Sequence, residues 1–174
     1  VEYEVDCLIY ATGFEVGTNF SRRAGYEIYG IGGKSLTEHW QDGARTFHGF
    51  HSHGFPNCFI VSGVQSGFTV NFPHMLEEQA RHIAHILEHA QTNDIKRIEV
   101  TEESEEWWVE RIISLSQNNI QFLESCTPGY YNNEGKPAAR GVQSGSYGGG
   151  PVAFVQVLEQ WRAEGDMRGL TLIS

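Results

Sequence analysis

The run Asp6-Cys7-Leu8-Ile9-Tyr10-Ala11-Thr12-Gly13-Phe14 restricts what this chain can fold into more than any other stretch. A short apolar segment between an acid and a small-residue exit has the pattern of a buried core strand. Ala11, Thr12 and Gly13 leave room for a second backbone or a ligand to come close. Residues 1–14 are therefore expected as strand, with Cys7 inside it.

A second run, Asn57-Cys58-Phe59-Ile60-Val61-Ser62-Gly63, predicts another buried strand closed by Gly63. Between the two, Arg23 to Lys34 reads as a hairpin around Gly30, Gly32 and Gly33. Thr46 to Pro56, rich in Gly, His and Phe, reads as a loop. After a turn over 64–72, Pro73 opens a helix running to about Thr92, since proline is tolerated in a first helical turn. Its expected apolar stripe is Leu76, Ala80, Ile83 and Leu87, with Ile86 alongside. Glu77 and Glu78 are expected in its first turn, where the helix dipole favours acids.

Ile95 to Val100 predicts a short strand. Thr101 is placed to cap a helix whose buried face is Trp108, Ile112 and Leu115 and which ends at Asn118-Asn119. Thr127 to Gly150 is too long and glycine-rich for an ordinary connection, a kind of segment that is usually functional. Pro151 then starts a helix with Phe154, Val155, Leu158 and Trp161 inward and Gly165 after it.

The balance of residues narrows the function. The chain of 174 residues is long enough for one core, with 40% hydrophobic and 20% charged residues. A net charge of -10 argues against nucleic acid or an anionic membrane as the main partner. No run reaches the length of a membrane helix. Cys7, Cys58 and Cys126 are far apart and odd in number, which reads as reduced thiols in a cytoplasmic setting. The chain starts inside an apparent strand, with no initiator Met, and is expected to be a fragment.

Several motifs fail on inspection. Gly33-Lys34-Ser35 lacks the upstream glycine of a phosphate loop, and Gly30-x-Gly32 lacks the third glycine of a dinucleotide fingerprint. Gly-Val-Gln-Ser-Gly occurs twice, at 63–67 and 141–145, and is read as coincidence because the flanks differ. Neither copy is a nucleophile elbow. His48, His51 and His53 with Cys58, and His82, His85 and His89 on one helix face, leave open a non-catalytic His-rich metal-binding module. No metal ligands are assigned.

Three blocks in order carry a resemblance. They are Asp6–Phe14; Phe55-Pro56-Asn57-Cys58-Phe59-Ile60-Val61-Ser62-Gly63 with Phe68-Thr69, Asn71-Phe72-Pro73, Glu77 and Gln79; and Ile98-Glu99-Val100-Thr101 with Glu105, Glu106 and Trp107. Pro128 to Asn133 and Tyr147 to Gly150 extend the match. The chain resembles the C-terminal part of Baeyer–Villiger monooxygenases, FAD- and NADPH-dependent flavoproteins that insert one oxygen of O2 into a ketone to give an ester or lactone. A related alternative is a flavin monooxygenase hydroxylating nitrogen or sulfur.

The resemblance implies a mixed α/β fragment of a two-dinucleotide-domain flavoprotein. Residues 1–14 would end the NADP domain or its linker strand. Residues 15–92 would return to the FAD-binding domain through hairpin, strand and helix. Residues 93–174 would form a C-terminal helical region, with 127–150 similar to the family's control loop over NADP and substrate. Thr12, Gly13, Gly63, Val64, Gln65, Phe68 and Thr69 would meet cofactor. Phe68, Thr69, Phe72 and Tyr147 would line the pocket of a small apolar ketone. Tyr130 and Tyr131 would add apolar surface with polar tips to the control-type loop.

The family's turn usually reads Gly-Pro-Asn-Gly-Pro, whereas this chain has Gly63-Val64-Gln65-Ser66-Gly67 and one extra residue near Val70. Both glycine fingerprints, the family's Phe-x-Gly-x-x-x-His-x-x-x-Trp signature and its catalytic arginine are missing, so no catalytic residue is expected in this chain. The expected partner is the N-terminal remainder of the same enzyme. The apolar faces it would leave bare also suggest self-association of the fragment.

Overall fold

Helix α3, Phe72–Thr92, is the longest element of the chain and the one on which the rest is arranged. The computed structural model describes residues 2–10, 20–116, 125 and 140–174. Before α3 come two short helices, α1 (Phe20–Ala24) and α2 (Leu36–His39). After it come strand β1 (Arg97–Val100), α4 (Glu102–Leu115), α5 (Arg140–Gln143), α6 (Pro151–Glu164) and β2 (Leu170–Ile173). The mixed α/β class is as expected.

Each long helix has a local reason to start. The Asn71 side chain accepts from the His74 N–H ahead of α3, with Pro73 in the first turn. Thr101 caps α4 by accepting from the Ser104 N–H, and Glu102, Glu103 and Glu105 follow in its first turn. Pro151 opens α6, and Gly165 closes it in the left-handed conformation at φ 68°. α4 stops at Leu115, earlier than expected; Asn118 and Asn119 lie outside the described residues.

The buried face of α3 differs from the expected stripe. Met75, Glu78, Gln79, His82, Ile86 and Ala90 are buried; of the expected residues Ile86 is in this face, Ile83 packs half-buried beside it, and Ala80 and Leu87 are exposed. Hydropathy alone rotates the stripe because Glu78, Gln79 and His82 are polar. Gln79 offsets the cost of its burial by donating to Ser62 O at 2.8 Å. Glu77 and Glu78 fall one turn later than expected, where both pair with Arg81.

β1 pairs antiparallel with β2, placing Ile98 opposite Leu172 and Val100 opposite Leu170. No sequence pattern predicts β2. Two expected strands are absent among the described residues. Residues 2–10 make no ladder, and Leu8, Ile9, Tyr10 and Cys7 are exposed. Residues 57–63 also form no strand, although Asn57 N–H donates to Ile98 O and Ile60 N–H to Phe50 O. A core strand needs ladder partners along its backbone; residues 2–10 have none among the described residues, and the 57–63 segment hydrogen-bonds to β1 only through Asn57. The hairpin over 23–34 is reduced to a single bridge, Tyr29 to Ser35, around a 3-10 turn at Ile31–Gly33, and α1 takes its first residues.

The core is aromatic. Phe50, Trp108 and Phe154 are fully buried and meet Ile86, Ile112 and Leu158 between α3, α4 and α6. The loop over 46–56 adds Phe47 and Phe50 to it, buries His48, His51 and Ser52, and sends Phe55 into a smaller cluster with Leu36 and Ile60. Its reversals rest on left-handed backbone at His48 and Gly49. Among the described residues no helix is long and apolar enough to cross a membrane.

Candidate functional site

The turn between residue 62 and α3 is built around Gln65, which is wholly buried and held at φ 51°. A glutamine in the left-handed region is uncommon and needs surroundings that fix it. Here every polar atom of the residue is engaged. Its Oε1 accepts from Thr46 N–H at 3.0 Å and from Thr46 Oγ1 at 2.6 Å. Its Nε2 donates to Ala44 O at 2.6 Å and to Gln143 O at 2.8 Å. Its backbone N–H donates to Gly145 O, and its carbonyl accepts from Trp108 Nε1 at 3.0 Å.

The neighbours of Gln65 are equally tied. Ser66 Oγ donates to Ser62 O at 2.7 Å, and Ser66 O accepts from Tyr147 N–H at 2.9 Å. A Cβ on Gly67 would stand 2.7 Å from the Phe154 ring and 2.8 Å from Met75 Sδ, so only glycine lets the turn lie this close to the core. Beyond Gly67 the chain turns outward. Phe68 and Phe72 are both exposed, with ring centroids 6.5 Å apart, ahead of the first turn of α3.

The structure thus gathers Gly63, Val64, Gln65, Phe68, Thr69 and Phe72 on one turn and helix start. Tyr147 stands apart from the two phenylalanines. It is buried in the core, stacked on Trp108 at 5.5 Å, and its hydroxyl accepts from Arg111 Nη2 at 2.8 Å. Thr12, Gly13, Tyr130 and Tyr131 lie outside the described residues. An open groove of about 510 Å³ between α4 and α6, lined by Phe47, His48, Trp107, Arg111 and Trp161, contains none of the expected site residues.

His48, His51 and His82 pack on aromatic rings, and His48 and His82 meet edge-on at 5.6 Å. His48 meets Trp108 edge-on at 4.8 Å, His51 meets Phe59 at 4.9 Å, and His53 Nδ1 lies 2.8 Å from Val100 O. His82 is fully buried against Trp161 at 4.9 Å. Among the described residues no three His, Cys, Asp or Glu side chains form a cluster that could hold a metal ion, which leaves the metal-module alternative without a donor set. Burial pushes His51 down to about 4 and His82 to about 3. Burial, with His82, His51 and Arg111 nearby, holds His48 well below the usual imidazole range.

A second buried polar centre lies under the loop over 46–56. Glu105 accepts from His39 Nε2 at 3.0 Å, from His53 N–H at 2.7 Å and from Arg45 Nε at 3.2 Å. Burial acts to raise its carboxyl, but the bonds from His39 and His53 and the charges of His39 and Arg45 outweigh it and leave it below the usual range. Sequence reasoning misses this centre, since Glu105 enters it only as one residue of the third block of the resemblance. Its place on the face shared with Trp108 and Ile112 is the available signal.

No family model matches the chain. Pentalenolactone D synthase of Streptomyces exfoliatus is 51% identical over 173 residues, covering 98% of this chain and 30% of the relative. Baeyer-Villiger monooxygenase 4 of Dietzia sp. (strain D5) is 39% identical over 168 residues, covering 97% and 27%. The polycyclic ketone monooxygenase of Thermothelomyces thermophila superposes with a TM-score of 0.78 at 34% identity, covering 89% of this chain and 25% of that one. The chain matches the C-terminal region of Baeyer–Villiger monooxygenases. Cyclohexanone monooxygenase from Rhodococcus sp. Phi1, bound to NADP+, also matches, with a TM-score of 0.78 at 30% identity over 99% of this chain and 31% of that one. The chain spans about 30% of the length of the curated Baeyer–Villiger relatives it matches. Its mixed helix-and-strand architecture is that of a piece of a larger two-domain flavoprotein.

Proposed function

We propose that the protein carrying this segment is an FAD- and NADPH-dependent monooxygenase that inserts one oxygen of O2 beside the carbonyl of a small apolar, cyclic ketone. The product is an ester or lactone. The observation that carries this reading is the 51% identity to pentalenolactone D synthase along nearly the whole segment. NADP+ bound in the cyclohexanone monooxygenase neighbour and the name FAD-binding monooxygenase of a relative in Hypomyces subiculosus support the two cofactors.

In this reading the start of α3 and the stretch before it border the edge of a flavin ring. The 21-residue helix α3 begins at Phe72 and directs its positive end toward the exposed stretch 68–71. Negative charge on the pyrimidine side of a reduced flavin would be favoured there. Thr69 offers a hydroxyl, and the faces of Phe68 and Phe72 offer apolar surface for a ketone. When bound, the flavin supplies the oxygen-activating chemistry; this segment positions its edge and excludes water. The pyrophosphate would be held by the glycine-rich fingerprints of the N-terminal remainder.

Thr12 and Gly13 are assigned to the cofactor side on the family motif alone. Residues 127–150 act as the control-type loop, of which the described end is residues 140–150. Leu8, Ile9, Val61, Phe68 and Val70 are exposed apolar side chains, and the N-terminal remainder of the enzyme is the partner that covers them. The isolated segment would self-associate through the same surface. Free thiols at Cys7 and Cys58 fit a reduced, cytoplasmic setting.

Purification of the full-length protein tests the reading. Stoichiometric FAD, NADPH oxidation stimulated by cyclic ketones and lactone detected by mass spectrometry are expected. Oxidation of amines or sulfides with no turnover of any ketone would overturn it.

A further inference from the structure

The two Gly-Val-Gln-Ser-Gly copies, at 63–67 and 141–145, lie against each other. Gln65 Nε2 and Gln143 Nε2 donate to the same acceptor, Ala44 O, at 2.6 and 3.0 Å. Gln65 Nε2 also reaches Gln143 O at 2.8 Å, and Gln65 N–H donates to Gly145 O at 2.8 Å. Ser144 Oγ accepts from Ala44 N–H at 3.0 Å, so the second copy holds both backbone groups of Ala44. The contact ends at Tyr147 N–H, which donates to Ser66 O.

Gln65 is wholly buried. If residues 141–147 lift away, its amide loses Gln143 O and its backbone N–H loses Gly145 O inside a buried site. An unmatched buried donor is costly, and a left-handed glutamine persists only while its surroundings hold it. The geometry of 63–67 and the seating of 141–147 are therefore linked by three direct hydrogen bonds and by the Ala44 carbonyl that both glutamines share.

We propose that Gln65 and Gln143 are positioning residues that form a paired-amide clasp on Ala44 O. Through it, seating of residues 141–147 sets the shape of the turn at 63–67. The catalytic consequence rests on the reading above, in which that turn borders the flavin. The clasp itself does not.

Hydrogen exchange of the full-length flavoprotein tests the proposal, comparing wild type with Gln143→Leu and Gln143→Glu. Loss of the donor on Ala44 O is expected to speed exchange across 63–67 about tenfold, with residues 80–90 of α3 unchanged. Both variants should also alter the change in flavin absorbance on adding NADP+. Glutamate keeps the shape of glutamine but not the donor, so wild-type exchange in Gln143→Glu would show a merely space-filling role and overturn the proposal. Faster exchange confined to 141–147 would overturn it as well. If α3 also exchanges faster, the side chain has broken the fold, and Ser144→Ala becomes the deciding variant: a severalfold rise at 63–67 supports the clasp and no rise rejects it. A protein that shows the exchange coupling but binds no flavin would count against the proposed function and leave the clasp standing.

Discussion

Gln65 and Gln143 place their amide nitrogens on one oxygen, Ala44 O, at 2.6 and 3.0 Å, from segments far apart in sequence. A shared acceptor of this kind uses both lone pairs of a carbonyl and leaves little slack in any of the three segments.

Gln65→Leu keeps most of the volume and removes both amide groups. Thr46 N–H and Thr46 Oγ1 lose their acceptor, and Gln143 O loses a donor, all within a buried site. A loss of about 2–4 kcal/mol is expected from chemical denaturation of the full-length protein. A change under about 0.5 kcal/mol would mean that these bonds re-form with water.

Glu105→Gln removes the charge at the buried centre while keeping its shape. His39 and Arg45 then face a neutral group, and about 2–4 kcal/mol of stability is expected to be lost. Glu106, which also pairs with Arg45, is half exposed at 52%. Glu106→Gln is expected to cost less than about 1 kcal/mol. Equal effects of the two variants in urea unfolding would contradict this assignment.

Stability should depend on pH through the buried histidines. Burial pushes His51 to about 4 and His82 to about 3 when folded, below the ordinary value of 6.5, and also holds His48 well below it. Folded-state values below the unfolded ones mean that acid protonates the unfolded chain first. Stability is thus complete above about pH 6.5 and falls as pH drops toward the folded values. Each histidine contributes a slope of about 1.4 kcal/mol per pH unit. Thermal unfolding of the full-length protein between about pH 8 and about pH 5 isolates these groups from the carboxylates. Replacing His82 by Leu should flatten the profile; an unchanged slope would exclude His82 from it.

Gly148→Ala would place a Cβ 1.9 Å from Leu115 O at the end of α4. Backbone cannot yield as a side-chain tip does, so a cost of about 2–3 kcal/mol is expected. Gly141 lies in α5, where an added Cβ would meet nothing within 4 Å. Gly141→Ala should be neutral or stabilise by up to about 1 kcal/mol. Melting temperatures of the two variants separate these outcomes.

Local signals are legible in the sequence. Asn71 and Pro73 before α3, Thr101 before α4, and Pro151 with Gly165 around α6 act within a turn of their own residues. Features that depend on distant partners are not. β2 cannot be read from Leu170–Ile173 because its pairing with β1 is set by the whole intervening chain. The runs at 2–10 and 57–63 have strand composition but make no ladder among the described residues. Hydropathy misplaces the α3 stripe because Gln79 and His82 are inward polar groups, one bonded to Ser62 and the other packed on Trp161. At the candidate site, the turn from Gly63 to Phe72 is legible, but the repeated pentapeptide reads as chance. Its meaning depends on Ala44, which no motif marks.

The pairing of β1 with β2 also orders events during synthesis. Ile98 and Val100 leave the ribosome well before Leu170 and Leu172, and they belong to the same buried cluster as Trp108 and Phe154. Until β2 emerges, β1 has an open edge and the aromatic layer above it lacks its last wall. That interval is where a nascent chain of this kind most needs chaperone cover, because an unpaired strand edge invites pairing with another chain.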